Sequence, residues 1–387
     1  MTAPESTPQK KRIVGLFPEL LGVGGVQEAG RQTAAAIERI ALRNGGSSYF
    51  LSLNDPSGGS SLHAGDNEIP FLGFGRAKLN FILAAIDAAR KGVDIVLALH
   101  SHLAPVATCM KLASQRRVHT IVISHGVEVW QRLSLIRRYA VSHADRVVAP
   151  SSDTMEKLAA VQGVAQRKLR KLAWPLSPKF LALADSPVTL PESPQLPQGQ
   201  IILTVGRWSA SERYKGADEL IGAVAQLCPA FAGLHLVAVG GGDDLPRLRA
   251  LASELGIAGR VHFFDSLSRE EVASCYARAY IFALPSTGEG YGMVFLEAMA
   301  FGLPIVAAAC GGSTDLVLDE SNGSLVAPND VGELARALER LLKDDSLRLR
   351  LGRCGAETVR QQYRFEIFEA SLERILGECG MDSRPQA

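Results

Sequence analysis

A chain of 387 residues, 47% of them hydrophobic, can bury large cores, and its length favours two domains over one. A formal net charge of +1 supplies no bulk attraction for nucleic acid, so none is expected as a partner. No signal peptide is recognised and no apolar run is long enough to span a bilayer, which sets aside an integral membrane protein and leaves a soluble or peripheral one.

Residues 1–11 are polar and read as a loose tail. The first half then opens with a strand at 12–20, a glycine turn at 22–27 (GVGGVQ) and a helix at 28–43. A strand at 48–53 is followed by a turn-rich stretch, 54–74, with no readable pattern. Beyond it the expected order is helix 76–91, strand 94–99, helix 103–116, strand 119–124, helix 131–143, strand 146–151, helix 152–161 and a short strand near 169–173. The strands are apolar runs rather than period-two alternations, which implies a parallel sheet covered on both faces.

Prolines at 175, 178, 187, 191, 194 and 197 disfavour both helix and central strand, and mark a linker over 175–199 between a first domain at 12–174 and a second at 200–360. The second half repeats the alternation: strands at 200–206, 234–240, 260–265, 280–284, 305–309 and 324–327, and helices at 215–227, 244–255, 269–277, 293–302 and 331–342. The end, 361–387, reads as a helix that packs back on the first domain, then a tail. Cysteines at 109, 228, 275, 310, 354 and 379 form no CxxC pair, and free buried thiols in a reducing cytoplasm are expected.

The most informative stretch is PSTGEGYGMVFLEAMAFGLP, 285–304. A buried strand opens into a glycine-rich turn and then a helix, an arrangement whose unpaired N–H groups suit phosphate. Glu289 and Glu297 bracket it, and Glu297 sits in an apolar run, placed to take two ribose hydroxyls. Arg207 and Lys215 follow the first strand of the second half, and a guanidinium with an ammonium suits a diphosphate. In the first half, Gly24 and Gly25 allow close backbone approach to a phosphate or sugar, or simply make a tight turn. His125 follows an apolar strand and is read as facing ligand, where it can relay a proton or bind a sugar hydroxyl; His100 and His102 are read as loop histidines with local partners. Neither GxGxxG nor GxxxxGK[ST] occurs, which disfavours a dehydrogenase or P-loop ATPase. No metal site is expected: Asp243 and Asp244 are adjacent and read as caps of the following helix. The stretch 131–143 mixes arginines with Leu133, Leu135, Ile136 and Tyr139, either a solvated helix with a core stripe or a face for weak contact with anionic lipid.

These motifs resemble the retaining, two-domain nucleotide-sugar glycosyltransferases of family 4. The specific signal is Glu289 and Glu297 separated by seven residues; GGV at 24–26, HG at 125–126, GR at 206–207, KG at 215–216 and VGGGDD at 239–244 support it. The resemblance implies an α/β GT-B fold, two Rossmann-like parallel-sheet domains facing across a deep cleft. It implies that Arg207 and Lys215 hold the diphosphate of a UDP- or GDP-sugar, that Glu297 takes the ribose, and that Glu289 with Gly290, Tyr291, Gly292 and Met293 meets the transferred sugar and phosphate. His125 would lie near the donor sugar, and Asp265 to Leu267 beside the base. Asp265 and Asp315 stand where the family often has glycine and glutamate. The implied reaction needs no cofactor and moves a hexose to a glycan or polyprenyl-diphosphate-linked acceptor, in the cytoplasm or on the inner face of the cell membrane. The alternatives on the same frame are a nucleotide-sugar 2-epimerase, a phosphorylase, or a non-catalytic sugar-nucleotide-binding scaffold.

Overall fold

The computed structural model describes residues 10–64, 67–186, 190–191 and 195–381. Most of the expected tail at 1–11, and the last residues of the chain, lie outside that range. The chain divides into two compact units: Met1–Pro175 together with Phe365–Ala387, and Leu176–Arg364.

The first unit holds β1 (Arg12–Phe17), β2 (Ser47–Ser52), β3 (Gly58–Ala64), β4 (Asn67–Gly73), β5 (Ile95–Ala98), β6 (His119–Ile123), β7 (Arg146–Ala149) and β8 (Leu169–Lys171), with α1 (Gly25–Arg43), α2 (Lys78–Arg90), α3 (Ala104–Ala113), α4 (Leu135–His143) and α5 (Ser152–Ala160) between them. The strands form one sheet in the order β3-β4-β2-β1-β5-β6-β7-β8. Val14, Leu16, Val96, Val122 and Val147 bury one sheet face against Phe81, Ala85 and Met110 of the crossover helices. The terminal helix Phe365–Leu376 belongs to this unit, where the buried Glu369 carboxylate pairs with Arg39 at 3.1 Å and Arg43 at 2.8 Å.

The sequence leads to the expectation of a wholly parallel sheet, and the first sheet departs from it. β3 and β4 form an antiparallel hairpin within the stretch that showed no pattern, and β4 joins β2 only at Leu51–Leu72 and Ser52–Gly73. Leu62, Ile69 and Phe71 are buried while Glu68 and Pro70 are exposed, so the hairpin alternates with period two and lacks the apolar runs of the other strands. Pro70, with no N–H to give, falls where β4 has separated from β2.

The second unit holds β9 (Gln200–Val205), β10 (Leu234–Val239), β11 (Val261–Phe264), β12 (Ile281–Leu284), β13 (Ile305–Ala308) and β14 (Gly323–Val326), in the order β11-β10-β9-β12-β13-β14, all parallel. Its helices are α6 (Pro178–Asp185), α7 (Ala217–Leu227), α8 (Leu245–Glu254), α9 (Arg269–Arg278), α10 (Met293–Ala300), α11 (Val331–Lys343) and α12 (Asp345–Gln362). Helix starts follow local chemistry: Ser268 and Glu271 cap α9 reciprocally, Asp330 accepts the Glu333 N–H at α11, and Asp344 accepts the Leu347 N–H at α12. The proline-rich 175–199 stretch was expected to lack helix, yet α6 runs through it. Pro178 sits in the first turn of α6, where its missing N–H costs nothing, and the next proline comes only at 187. The helix expected over 131–143 is shorter, beginning at Leu135.

In each unit the strand order reverses once, between β1 and β5 and between β9 and β12. Such reversal points leave a crevice beyond the carboxyl ends of the strands, where ligands bind in open α/β sheets.

Candidate active site

At the reversal point of the second unit, the loop after β9 and the turn after β12 are bound backbone to backbone. The Thr287 N–H donates to the Tyr214 carbonyl at 2.7 Å. Gly216 has φ +75°, and a Cβ there would lie 2.5 Å from the Pro285 carbonyl oxygen, so only glycine lets the loops approach this closely. Lys215, one residue earlier, is thereby delivered to the glycine-rich turn. Its Nζ lies 3.8 Å from Glu289 and 3.9 Å from Glu212. Arg207 completes the group by pairing with Glu212. Arg207 is 72% exposed, while Lys215, Glu212 and Glu289 are each below 20%. Burial raises the Glu289 carboxyl above its ordinary range, and the Lys215 ammonium opposes that rise.

The turn itself is braced by the Gly312 N–H, which donates to the Glu289 carbonyl at 2.7 Å. Gly292 then takes φ +95° and starts α10 without a side-chain cap. A Cβ at Gly292 would run into the Phe295 ring. The opening N–H groups of a helix have no intrahelical acceptor, so this end of α10 is suited to an anion beside Lys215. Gly290, buried Tyr291 and half-buried Met293 carry the backbone through it. One turn into α10, Glu297 accepts a hydrogen bond from the Tyr276 hydroxyl at 2.9 Å. Tyr276 is fully buried, and burial together with the Glu297 charge drives its pKa well above the usual value, which keeps it a donor. Asp265 and Leu267 follow β11, two strands from β9; Asp265 is exposed and Leu267 half-buried. Asp243 and Asp244 do not cap α8 as expected. Asp243 accepts the Ala210 N–H at 2.9 Å, and Asp244 is drawn instead to the Arg247 guanidinium at 2.6 Å.

In the first unit, Gly24 and Gly25 open α1, exposed and without a side-chain cap, beside the fully exposed Val23. The loop before them is held by buried Asp55, which accepts the N–H groups of Leu20 at 2.7 Å and Leu21 at 3.1 Å, and by Arg31, which donates to the Leu20 and Gly22 carbonyls. His125 follows β6, stacks on Trp174 with centroids 5.4 Å apart, and places Nε2 2.8 Å from the Leu99 carbonyl. A carbonyl oxygen only accepts, so Nε2 carries a proton, which in a neutral ring leaves the lone pair on Nδ1. His100 stands at the reversal point, with its Nδ1 accepting the His102 N–H at 3.2 Å. Burial pushes His100 down to about 4, with the charge of Glu128 opposing, so it is neutral at pH 7.

Arg207, Lys215 and Glu289 are thus brought together, with Glu297 held one turn along α10. Glu212 and Tyr276 were not anticipated: Glu212 sits in a polar loop like any solvated carboxylate, and Tyr276 in an ordinary helix. Asp55 fell in the stretch without a pattern. All six cysteines are free, but only Cys275 and Cys379 are buried, fewer than expected. Among the described residues no group of three or more His, Cys, Asp or Glu side chains could hold a metal, and no helix is long and apolar enough to cross a membrane.

Two units built on mixed and parallel sheets flanked by helices match the GT-B fold, which solved structures share. Sucrose-phosphate synthase from Thermosynechococcus elongatus superposes with a TM-score of 0.72 at 22% identity, covering 95% of this chain and 99% of that one. HepE of Anabaena in complex with UDP-glucose gives 0.71 at 19%, with the same coverage. The family models for glycosyl transferases group 1 and for glycosyltransferase family 4 match residues 190–358 and 52–172. The GDP-mannose-dependent alpha-(1-6)-phosphatidylinositol monomannoside mannosyltransferase of Mycolicibacterium smegmatis is 30% identical over 295 residues, 73% of this chain and 76% of that protein. The chain belongs to glycosyltransferase family 4. It is a glycosyltransferase that takes its sugar from a nucleotide-diphosphate donor, which sets aside the epimerase, phosphorylase and scaffold readings.

Proposed function

We propose that the enzyme moves a hexose from a UDP- or GDP-sugar to a hydroxyl of a glycan or lipid-linked acceptor, with retention at the anomeric carbon and without a metal. The observation that carries this reading is Lys215, held 3.8 Å from Glu289 beside the uncapped start of α10. Arg207, Lys215 and the helix start neutralise charge growing on the leaving diphosphate, the work a divalent ion does elsewhere. Glu297, oriented by Tyr276, takes the ribose hydroxyls, and the Asp265–Leu267 loop borders the base. Glu289 and the backbone from Gly290 to Met293 position the sugar. The acceptor is taken to enter from the first unit, where Gly24 and Gly25 are assigned to a phosphate or sugar through their backbone N–H groups and His125 to a hydroxyl of the donor sugar.

The C1–O bond breaks with oxocarbenium character, and the acceptor hydroxyl attacks from the face the diphosphate leaves. A phosphate oxygen takes its proton. Glu289 acts by position and forms no covalent bond to the sugar. The GDP-mannose named for the mycobacterial relative makes that donor the first to test. A donor screen by nucleotide release, with product stereochemistry read by NMR, tests the scheme; an inverted product or a trapped glycosyl–Glu289 adduct refutes it.

The same reading assigns the enzyme to the cytoplasm, either free or in weak contact with the inner face of the cell membrane. Leu135, Ile136 and Tyr139 of α4 are 82%, 73% and 58% exposed beside exposed Arg137 and half-buried Arg138, which supports weak contact with anionic lipid. Flotation with anionic liposomes at low salt detects that contact, and no co-flotation refutes it.

A further inference from the structure

Within the second unit, two cations meet two carboxylates at the end of β9. Glu289 belongs to the turn that α10 follows. Glu212 belongs to neither strand nor regular helix. It sits at a kink in the short helical segment Ala210–Lys215, where its backbone leaves helical geometry at φ −118° and ψ 31°. The kink turns its carboxylate back onto Arg207 and to 3.9 Å from Lys215 Nζ, with only 13% of the side chain exposed. A carboxylate drawn out of water this far is held there by its two cations. These are the cations assigned to the donor diphosphate.

We propose that Glu212 is a built-in competing anion, a carboxylate that occupies the diphosphate-binding cations in the empty enzyme and must release them when the nucleotide sugar binds. The inference rests on the assignment of Arg207 and Lys215 to the diphosphate. A nucleoside diphosphate reaching this site meets Arg207 and Lys215 already neutralised by Glu212 and Glu289. The exchange of one anion for another weakens net donor affinity. It also places a negative charge against both cations, which offsets their mutual repulsion. The spent nucleoside diphosphate meets the same competition, so Glu212 favours its departure after transfer. A residue that only shaped the loop would lower nucleotide affinity when altered; a competing anion raises it.

The test is calorimetric titration of the full chain with UDP and with GDP, comparing the wild type with Glu212→Gln. Loss of one partly exposed ion-pair competitor tightens binding by about fivefold, the equivalent of about 1 kcal/mol. Glu212→Asp, which draws the carboxylate back by one methylene, shifts affinity in the same direction and serves should the glutamine variant not fold. Wild type that binds a nucleotide while both variants bind it equally or more weakly overturns the role of Glu212 and leaves the diphosphate assignment standing. No binding of either nucleotide by wild type or variant overturns the diphosphate assignment, and the competing anion falls with it.

Discussion

Replacing Lys215 by alanine removes the ammonium on which the leaving-group argument turns. Lys215 is 15% exposed and lies 3.8 Å from Glu289 and 3.9 Å from Glu212. Two unit charges about 4 Å apart interact by about 4 kcal/mol at the effective dielectric of a partly buried site. Desolvation returns part of that, and a charge-assisted contact to a phosphate oxygen nets about 3 kcal/mol, about a hundredfold in kcat/KM. A second consequence distinguishes this site from a simple binding contact. Burial already raises the Glu289 carboxyl, and Lys215 is what opposes the rise. Without the ammonium, Glu289 holds its proton to higher pH, and any acid limb it contributes to the rate profile moves upward. The assay is nucleotide release with saturating acceptor across pH 5–9, with a thermal melt to show that the variant is folded. A folded Lys215→Ala enzyme with kcat/KM within about threefold of wild type would refute the reasoning, because a lost charge contact at this burial is worth more than that.

Three further outcomes follow from other contacts. Tyr276→Phe removes the hydroxyl that holds Glu297, at a cost of about 2 kcal/mol of stability for a lost bond to a charged group, and raises the donor KM; equal melting temperature and equal KM would show that Glu297 needs no such partner. Gly292→Ala places a Cβ against the Phe295 ring at φ +95°, and is expected to lower stability by about 2 kcal/mol in a melt, with transfer impaired. His100 is held neutral by burial, its pKa lowered from 6.5 to about 4, with Glu128 opposing and His125, His102 and Arg137 adding to the fall. The folded state therefore binds fewer protons than the unfolded chain between those values. Its contribution, about 3 kcal/mol at most, is present above pH 6.5 and is lost as pH falls toward 4. His100→Asn flattens that part of the stability curve, and an unchanged curve contradicts the assignment.

The alternation of strand and helix was legible because parallel strands, buried on both faces, are apolar runs that stand out from their surroundings. The hairpin of β3 and β4 was not, since half of its side chains face solvent and its glycines and serines look like loop. α6 was hidden by the prolines around it, although Pro178 is what starts the helix. At the site, glycines and charges that repeat a family pattern could be read: Glu289, Glu297, Arg207 and Lys215. The partners that hold them could not. Glu212 reaches its cations through a kinked backbone, and Tyr276 reaches Glu297 across helix packing, neither of which leaves a trace in residue spacing.

A crystal structure of the enzyme with an intact nucleotide sugar tests the central claim most directly. The account predicts the diphosphate oxygens within hydrogen-bonding distance of Arg207, Lys215 and the first N–H groups of α10, with the ribose hydroxyls on Glu297. A diphosphate bound elsewhere, with the Arg207 and Lys215 side chains directed away from it, would contradict it.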